Sequence, residues 1–291
     1  MSNEALSGRE ETLDPVVADR VSRQSGPLPR AKHLFWTLLP PLVFFGLFVG
    51  FLYLVSYVFL TPERQFLLPP PHEVVDSGLL NGRNLREQLD ALWDTTQVAA
   101  IGLAIAFAIG SLLAILMSQA KWIERSLYPY AVIVQVTPIL AIVPLIALWF
   151  GYDIQARVVV CVLISVFPII TNTLFGLLTV DSNLHDLLTL HRAGRLKRLF
   201  KLQLPNAVPG IFIGLRVSAG LSVIGAIVGE FFFRQGTPGL GRLLDLYRAR
   251  LQSDLLMSTL LFCCLLGIAV FTIVGFVGRM LTRSWFEESG R

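Results

Sequence analysis

The side chains that could carry chemistry in this sequence are few, and their spacing excludes more reactions than it admits. A phosphate-binding loop of the ATPase type ends in Gly-Lys-Ser/Thr, so that backbone N–H groups and one ammonium meet the phosphate oxygens. The four lysines, Lys32, Lys121, Lys197 and Lys201, follow Ala31, Ala120, Leu196 and Phe200, and no such loop can be drawn. Cys161, Cys263 and Cys264 show neither a pairing framework nor a metal spacing, and His33, His72, His185 and His191 are scattered. Metal ligands come in clusters. With no Ser/His/Asp constellation either, the expectation is a chain without catalytic, metal-binding or cofactor-binding residues of its own, and not an enzyme.

One segment gathers basic charge. Asp186-Leu187-Leu188-Thr189-Leu190-His191-Arg192-Ala193-Gly194-Arg195-Leu196-Lys197-Arg198-Leu199-Phe200-Lys201-Leu202-Gln203-Leu204-Pro205 is amphipathic, with Leu187, Leu188, Leu196 and Leu199 on the apolar side. The pattern predicts a short helix, then an extended join before Pro205 opens the next helix. Such a helix has a membrane surface or a partner protein to meet.

A second group consists of polar residues inside apolar stretches. Gln135 and Thr137 stand among Pro129, Pro138 and Pro144, while Asn172 and Thr173 follow Pro168. With Ser218 and Ser222 they either line a path or bond between kinked helices, since polar residues in spans face bundle interiors in both cases. Arg216 lies about 16 Å along a helix from Pro205 at the usual rise per residue. It is either a structural charge, paired or snorkelling, or part of the path, and Glu230 either marks an interface or belongs to an outer gate.

The elements that position these residues follow from composition. The 291 residues are 54% hydrophobic and 15% charged, too apolar for a soluble domain. Crossing a bilayer takes about 20 mostly apolar residues in a helix, because backbone groups must bond within the segment. Six stretches qualify: 34–60, 95–117, 126–150, 156–180, 206–230 and 255–281. Residues 1–33 read as a disordered soluble tail, 34–281 as the membrane domain with 181–205 as its main inner loop, and 282–291 as a second tail. The fold class is all-α and polytopic. Lys121, Arg125, Arg192, Arg195, Lys197, Arg198 and Lys201 crowd the loops on the side that holds both ends, which places the N and C termini in the cytoplasm.

Two further patterns bear on mechanism. Gly102, Ala106, Gly110, Ala114 and Ser118 recur every fourth residue, as do Gly210, Gly214, Ser218, Ser222 and Ala226. Ridges of small residues let helices approach closely where lipid offers no hydrophobic drive. Ion-coupled carriers bury carboxylates near the midplane, and the centres of five of these six stretches have none. A self-sufficient carrier or channel is thus the less favoured class.

The chain resembles the permeases of binding-protein-dependent ABC importers. Asp186 and Leu204-Pro205 fall at matching positions of that family's cytoplasmic coupling loop, although Arg192 stands where a glycine is usual and Gly194 is displaced by two. Leu67-Leu68-Pro69-Pro70-Pro71 and Pro138 to Gly151 are similar to the nitrate, sulfonate and taurine branch, and Ile224 to Phe231 with Gly239-Leu240-Gly241 resembles members that import thiamine-precursor pyrimidines or riboflavin-type heterocycles. The resemblance implies a type I importer in the inner membrane. Its expected partners are a second permease copy, a cytoplasmic ATP-binding subunit that uses the ATP, and an extracytoplasmic solute-binding protein, with no nucleic acid. Coupling would fall to Asp186, Leu187, Leu188, Arg192, Ala193, Gly194, Leu196, Leu199, Leu204 and Pro205. Thiamine-precursor pyrimidines or riboflavin-like heterocycles are the expected solutes, with sulfonate, taurine or nitrate as the alternative.

Overall fold

Apolar residues on every side of a helix, as in the stretch from Leu42 to Phe51, suit a segment surrounded by hydrocarbon. The computed structural model describes residues 30–233 and 235–286, and all regular structure among them is helical. Most of the two expected tails, residues 1–29 and 287–291, lies outside the described residues; residues 30–33 and 282–286 are helical.

Residues up to Phe59 form one unit. Its helix α1 (Arg30–Leu54) runs through Pro40 and Pro41 and ends in a wider turn, Val55–Phe59. Leu42, Phe44, Phe45, Leu47, Phe48 and Phe51 are all exposed on it.

The second unit holds the rest. A short lead-in contains α2 (Pro71–Val75) and a turn, Asp76–Leu80, that docks by its glycine. A Cβ on Gly78 would lie 2.0 Å from Ser258 Oγ. The 38-residue α3 (Gly82–Gln119) follows, its N-terminus capped by Asn81 Oδ1, which accepts from the Arg83 and Asn84 N–H groups. The helix thus begins at Gly82, 13 residues before position 95, where the span was expected to start.

Then come α4 (Lys121–Val136), α5 (Ile139–Phe150), α6 (Ile154–Leu178), α7 (Ser182–Leu190), α8 (Arg195–Arg198), α9 (Leu204–Phe232), α10 (Leu240–Ala249) and α11 (Ser253–Phe286). Five helical stretches are long and apolar enough to cross a membrane alone: Leu39–Phe59, Gly82–Gln119, Ile154–Leu178, Arg195–Phe232 and Ser253–Leu281. The stretch expected as one spanning helix over 126–150 is instead two helices, α4 and α5, bent by 99° at the break between them. Thr137, preceding a proline, is held extended, and Pro138 has no N–H to continue the ladder.

Helix α6 is the centre of the bundle, with α9 and α3 packed on it. Both small-residue ridges meet it. A Cβ at Gly214 would stand 2.7 Å from the Pro168 carbonyl oxygen, one at Gly210 2.7 Å from that of Asn172, and one at Gly225 2.7 Å from Cys161 Cα. From the other side, Gly102 faces Cys161 and Gly110 faces Ile169, each too close for a Cβ. The backbones thus touch, and dispersion between them replaces the hydrophobic effect that lipid removes.

The extended join expected before Pro205 is absent. The chain stays helical from Arg195 through a wide turn, Leu199–Gln203, into α9. Pro205 sits in the first turn of α9, where a missing N–H is tolerated.

Candidate functional site

The segment joining α6 to α9 folds as two helices set off by a tight turn. Asp181 caps α7, its carboxylate accepting from the Asn183 N–H at 2.8 Å. The helix ends in a Schellman arrangement: the Arg192 N–H donates to the Thr189 carbonyl and the Ala193 N–H to that of Leu188, both at 2.9 Å. Arg192 holds φ +49°, the left-handed region that favours glycine. Gly194, at φ −68°, does not serve the turn.

Arg198 repairs what the missing glycine weakens. Its guanidinium donates to the Ala193 carbonyl at 3.1 Å and to Thr189 Oγ1 at 3.0 Å, tying α8 back onto the end of α7. Neither Arg198 nor Thr189 stands out in the sequence, because their roles depend on a turn that only coordinates reveal. Replacing Arg192 with glycine is expected to stabilise the loop by about 1 kcal/mol, the usual penalty of a non-glycine residue in that region. Slower hydrogen exchange of residues 189–198 in Arg192→Gly is the check.

The apolar side expected for this segment is divided between two surfaces. Leu199 is buried with Leu177 and Ala207 and anchors the loop to the bundle, and Ala193, at the turn, is buried as well. Leu196 is 70% exposed and Leu190 81%, with Leu187 and Phe200 also exposed and Leu188 half-buried. Leu196 and Leu199 both follow the break at Arg192, the first exposed and the second buried against the bundle. Asp186, Arg192, Arg195 and Lys197 are exposed among these leucines. Leu204 and Pro205 are half-buried, and Asn206 ties the start of α9 to α6 by donating to the Gly176 carbonyl at 3.0 Å.

The polar residues inside the membrane stretches do not share one environment. Thr173, Ser218, Ser222 and Glu230 are fully buried, Asn172 and Thr137 half-buried, and Gln135 and Arg216 exposed. Most bond to the bundle's own backbone. Ser218 Oγ donates to the Ser165 carbonyl at 2.5 Å, and Asn172 Nδ2 to the Pro168 carbonyl at 2.8 Å. Arg216 lies over the Phe271 ring, 4.2 Å from its centre, and Gly275 gives it a flat seat on α11, since a Cβ there would stand 2.7 Å from its Nε. Gln135 and Thr137 mark the break between α4 and α5. Thr137 Oγ1 donates back to the Ile133 carbonyl at 2.6 Å.

At the end of α9 away from this loop lies a buried polar knot. Glu230 Oε2 accepts from Thr95 Oγ1 at 2.9 Å and from the Gly241 N–H at 3.0 Å, and Thr95 Oγ1 accepts from the Leu240 N–H at 2.8 Å. Arg157, also buried, donates to the carbonyls of Gln235 and Thr237. Thr95 and Arg157 had no sequence signal, being one of two adjacent threonines and an arginine at a helix start.

A bundle of membrane-length helices, tight glycine contacts, a broken span and an exposed basic loop on a rigid anchor define a helical membrane transport protein. The chain belongs to the family of binding-protein-dependent transport system inner membrane components, which matches residues 106–286. It is 34% identical over 205 residues to a probable ABC transporter permease protein of Haemophilus influenzae, covering 69% of this chain and 83% of that one. Over 213 residues it is 32% identical to the formylaminopyrimidine transport permease protein ThiX of Halalkalibacterium halodurans, covering 72% and 83%. With the putative aliphatic sulfonates transport permease protein SsuC of Escherichia coli it shares 29% identity over 200 residues, 67% and 74% of the two chains. The chain is therefore an ABC importer permease subunit, a multi-pass protein of the cell membrane whose ATPase lies in a partner subunit and whose solute arrives on a binding protein.

Proposed function

We propose that the exposed face of residues 182–203 is the surface on which the cytoplasmic ATP-binding subunit docks, with both chain termini on that same side. The observation that carries this is the pairing of exposed Leu187, Leu190, Leu196 and Phe200 with exposed Arg192, Arg195 and Lys197 on a loop anchored by buried Leu199. A mobile loop would dissipate an applied force; an anchored one passes it to α9, with which it is continuous. Two copies of the chain would enclose the translocation path, and ATP-driven closure of the ATPases would rock the bundles between inward- and outward-open states.

Leu196→Asp tests the docking surface. An exposed leucine contributes little to the chain's own stability, while a carboxylate in an apolar partner groove is costly. The variant is expected to insert and fold as the parent does but to lose the ATP-binding subunit during purification in mild detergent. Co-purification at the parent level would overturn the assignment.

For the solute, we propose a small heterocycle of the pyrimidine or riboflavin type, supported by relatives named for formylaminopyrimidine and riboflavin. A sulfonate, taurine or nitrate is the second reading. Relatives named for sulfonates and nitrate support it, as does exposed Arg216, a cation able to attract an anion within a span. Competition by each class against solute bound to the co-purified binding protein separates the two.

A further inference from the structure

The knot at the far end of α9 is not needed to explain docking or the path, yet it joins three elements through buried contacts to one carboxylate oxygen, Glu230 Oε2, while Oε1 has no hydrogen-bond partner. Glu230 is fully buried, and a buried carboxylate persists only where donors compensate it. The donors come from two other elements: the Thr95 hydroxyl of α3, and the Gly241 N–H in the first turn of α10. The Thr95 hydroxyl also lies 3.0 Å from the Ala91 carbonyl, but a carboxylate is the stronger acceptor. The Leu240 N–H completes the set through Thr95 Oγ1, so two free N–H groups at the start of α10 are answered by one carboxylate and one hydroxyl, at the positive end of that helix.

The backbone is shaped for this contact. A Cβ on Gly239 would lie 2.2 Å from the Glu230 carboxyl carbon, and one on Gly241 2.2 Å from the Ile227 carbonyl oxygen. Glycine at both positions lets the α10 N-terminus sit directly on the carboxylate. This explains the spacing of Glu230 and Gly239-Leu240-Gly241 without reference to solute: the motif is a carboxylate and its backbone receptor.

We propose that Glu230 is a positioning residue for transport, whose carboxylate fastens the N-terminus of α10 to the end of α9 so that the two helices move as one body. This rests on the reading that force enters at residues 182–203, which are continuous with the opposite end of α9. A movement of α9 is then delivered to α10, because separating them would strand a buried carboxylate without its donors.

The test uses the assembled transporter in nanodiscs, with its ATPase and binding protein. Hydrogen exchange of residues 240–249 reports the clamp, and solute moved per ATP hydrolysed reports transmission. Thr95→Val keeps shape and removes the hydroxyl, and it is expected to raise exchange at the start of α10 about tenfold, the value of one to two hydrogen bonds. Solute moved per ATP should fall while ATP hydrolysis continues. Thr95→Ser, which keeps the hydroxyl, is expected to restore both readouts, and Glu230→Gln to fall between. Unchanged exchange in Thr95→Val and Glu230→Gln would overturn the clamp. Raised exchange with an unchanged solute-to-ATP ratio would overturn its role in transport and leave a structural contact. An intact clamp together with parent-level co-purification of the ATP-binding subunit by Leu196→Asp would overturn instead the docking reading on which the inference rests.

Discussion

Gly214→Val is expected to abolish the folded protein, whereas Gly220→Val, on the same helix, is expected to leave it nearly intact. At Gly214 the added Cβ would stand 2.7 Å from the Pro168 carbonyl oxygen and 3.2 Å from Ile169 Cα. Both are backbone atoms of α6, which cannot rotate aside as a side chain can. The two helices would have to separate along the whole ridge, giving up contact at Gly210, Ser218 and Gly225 together. Overpacking a core typically costs about 1–3 kcal/mol. A clash against backbone that opens several contacts at once lies beyond that range. At Gly220 nothing lies within 4 Å of the Cβ position. Insertion followed by size-exclusion chromatography distinguishes them: aggregate or loss for the first, a parent-like peak for the second. A parent-like peak for Gly214→Val would mean that α6 and α9 are not held at backbone distance.

The second large effect is Leu199→Asp, expected to unfold the junction between the loop and α9. Leu199 is 5% exposed and packs in the cluster containing Leu177 and Ala207. The substitution loses about 2 kcal/mol of apolar burial. It also buries a carboxyl group without a partner, at least about 2 kcal/mol more. The same substitution at Leu196 changes partner binding instead. Loss of protease resistance at residues 195–205 in Leu199→Asp, with retention in Leu196→Asp, is the expected pattern. Equal behaviour of the two variants would show that the loop is not anchored as described.

Much of the architecture was legible in the sequence because a bilayer restricts what a chain can do. Runs of apolar residues of the right length become helices, as at α6, α9 and α11, since a helix satisfies its backbone groups within the segment. The fourfold recurrence of Gly, Ala and Ser pointed to close helix contacts, and α6 receives both ridges. The basic, leucine-bearing stretch from Asp186 to Pro205 was legible as a surface segment by its charge.

What eluded the sequence has physical causes as well. A proline between apolar residues is compatible with a kink or a break, so the 99° bend at Pro138 was not visible. The left-handed turn at Arg192 falls on a residue that ordinarily avoids it, and its support by Arg198 is a contact between side chain and backbone across the turn. Leu196 and Leu199 look alike in sequence, and only the packing of Leu199 with Leu177 and Ala207 separates a buried anchor from an exposed surface.

The sequence by itself determined that this is a helical membrane protein with a basic loop and small-residue seams, because hydropathy, charge and periodicity act along the chain. Tertiary structure alone decided which leucines face outward, that α6 is the hub, and that Glu230 is sealed by Thr95 and the α10 N-terminus. Those contacts join residues as much as 145 positions apart, and no local pattern records where a distant donor will arrive.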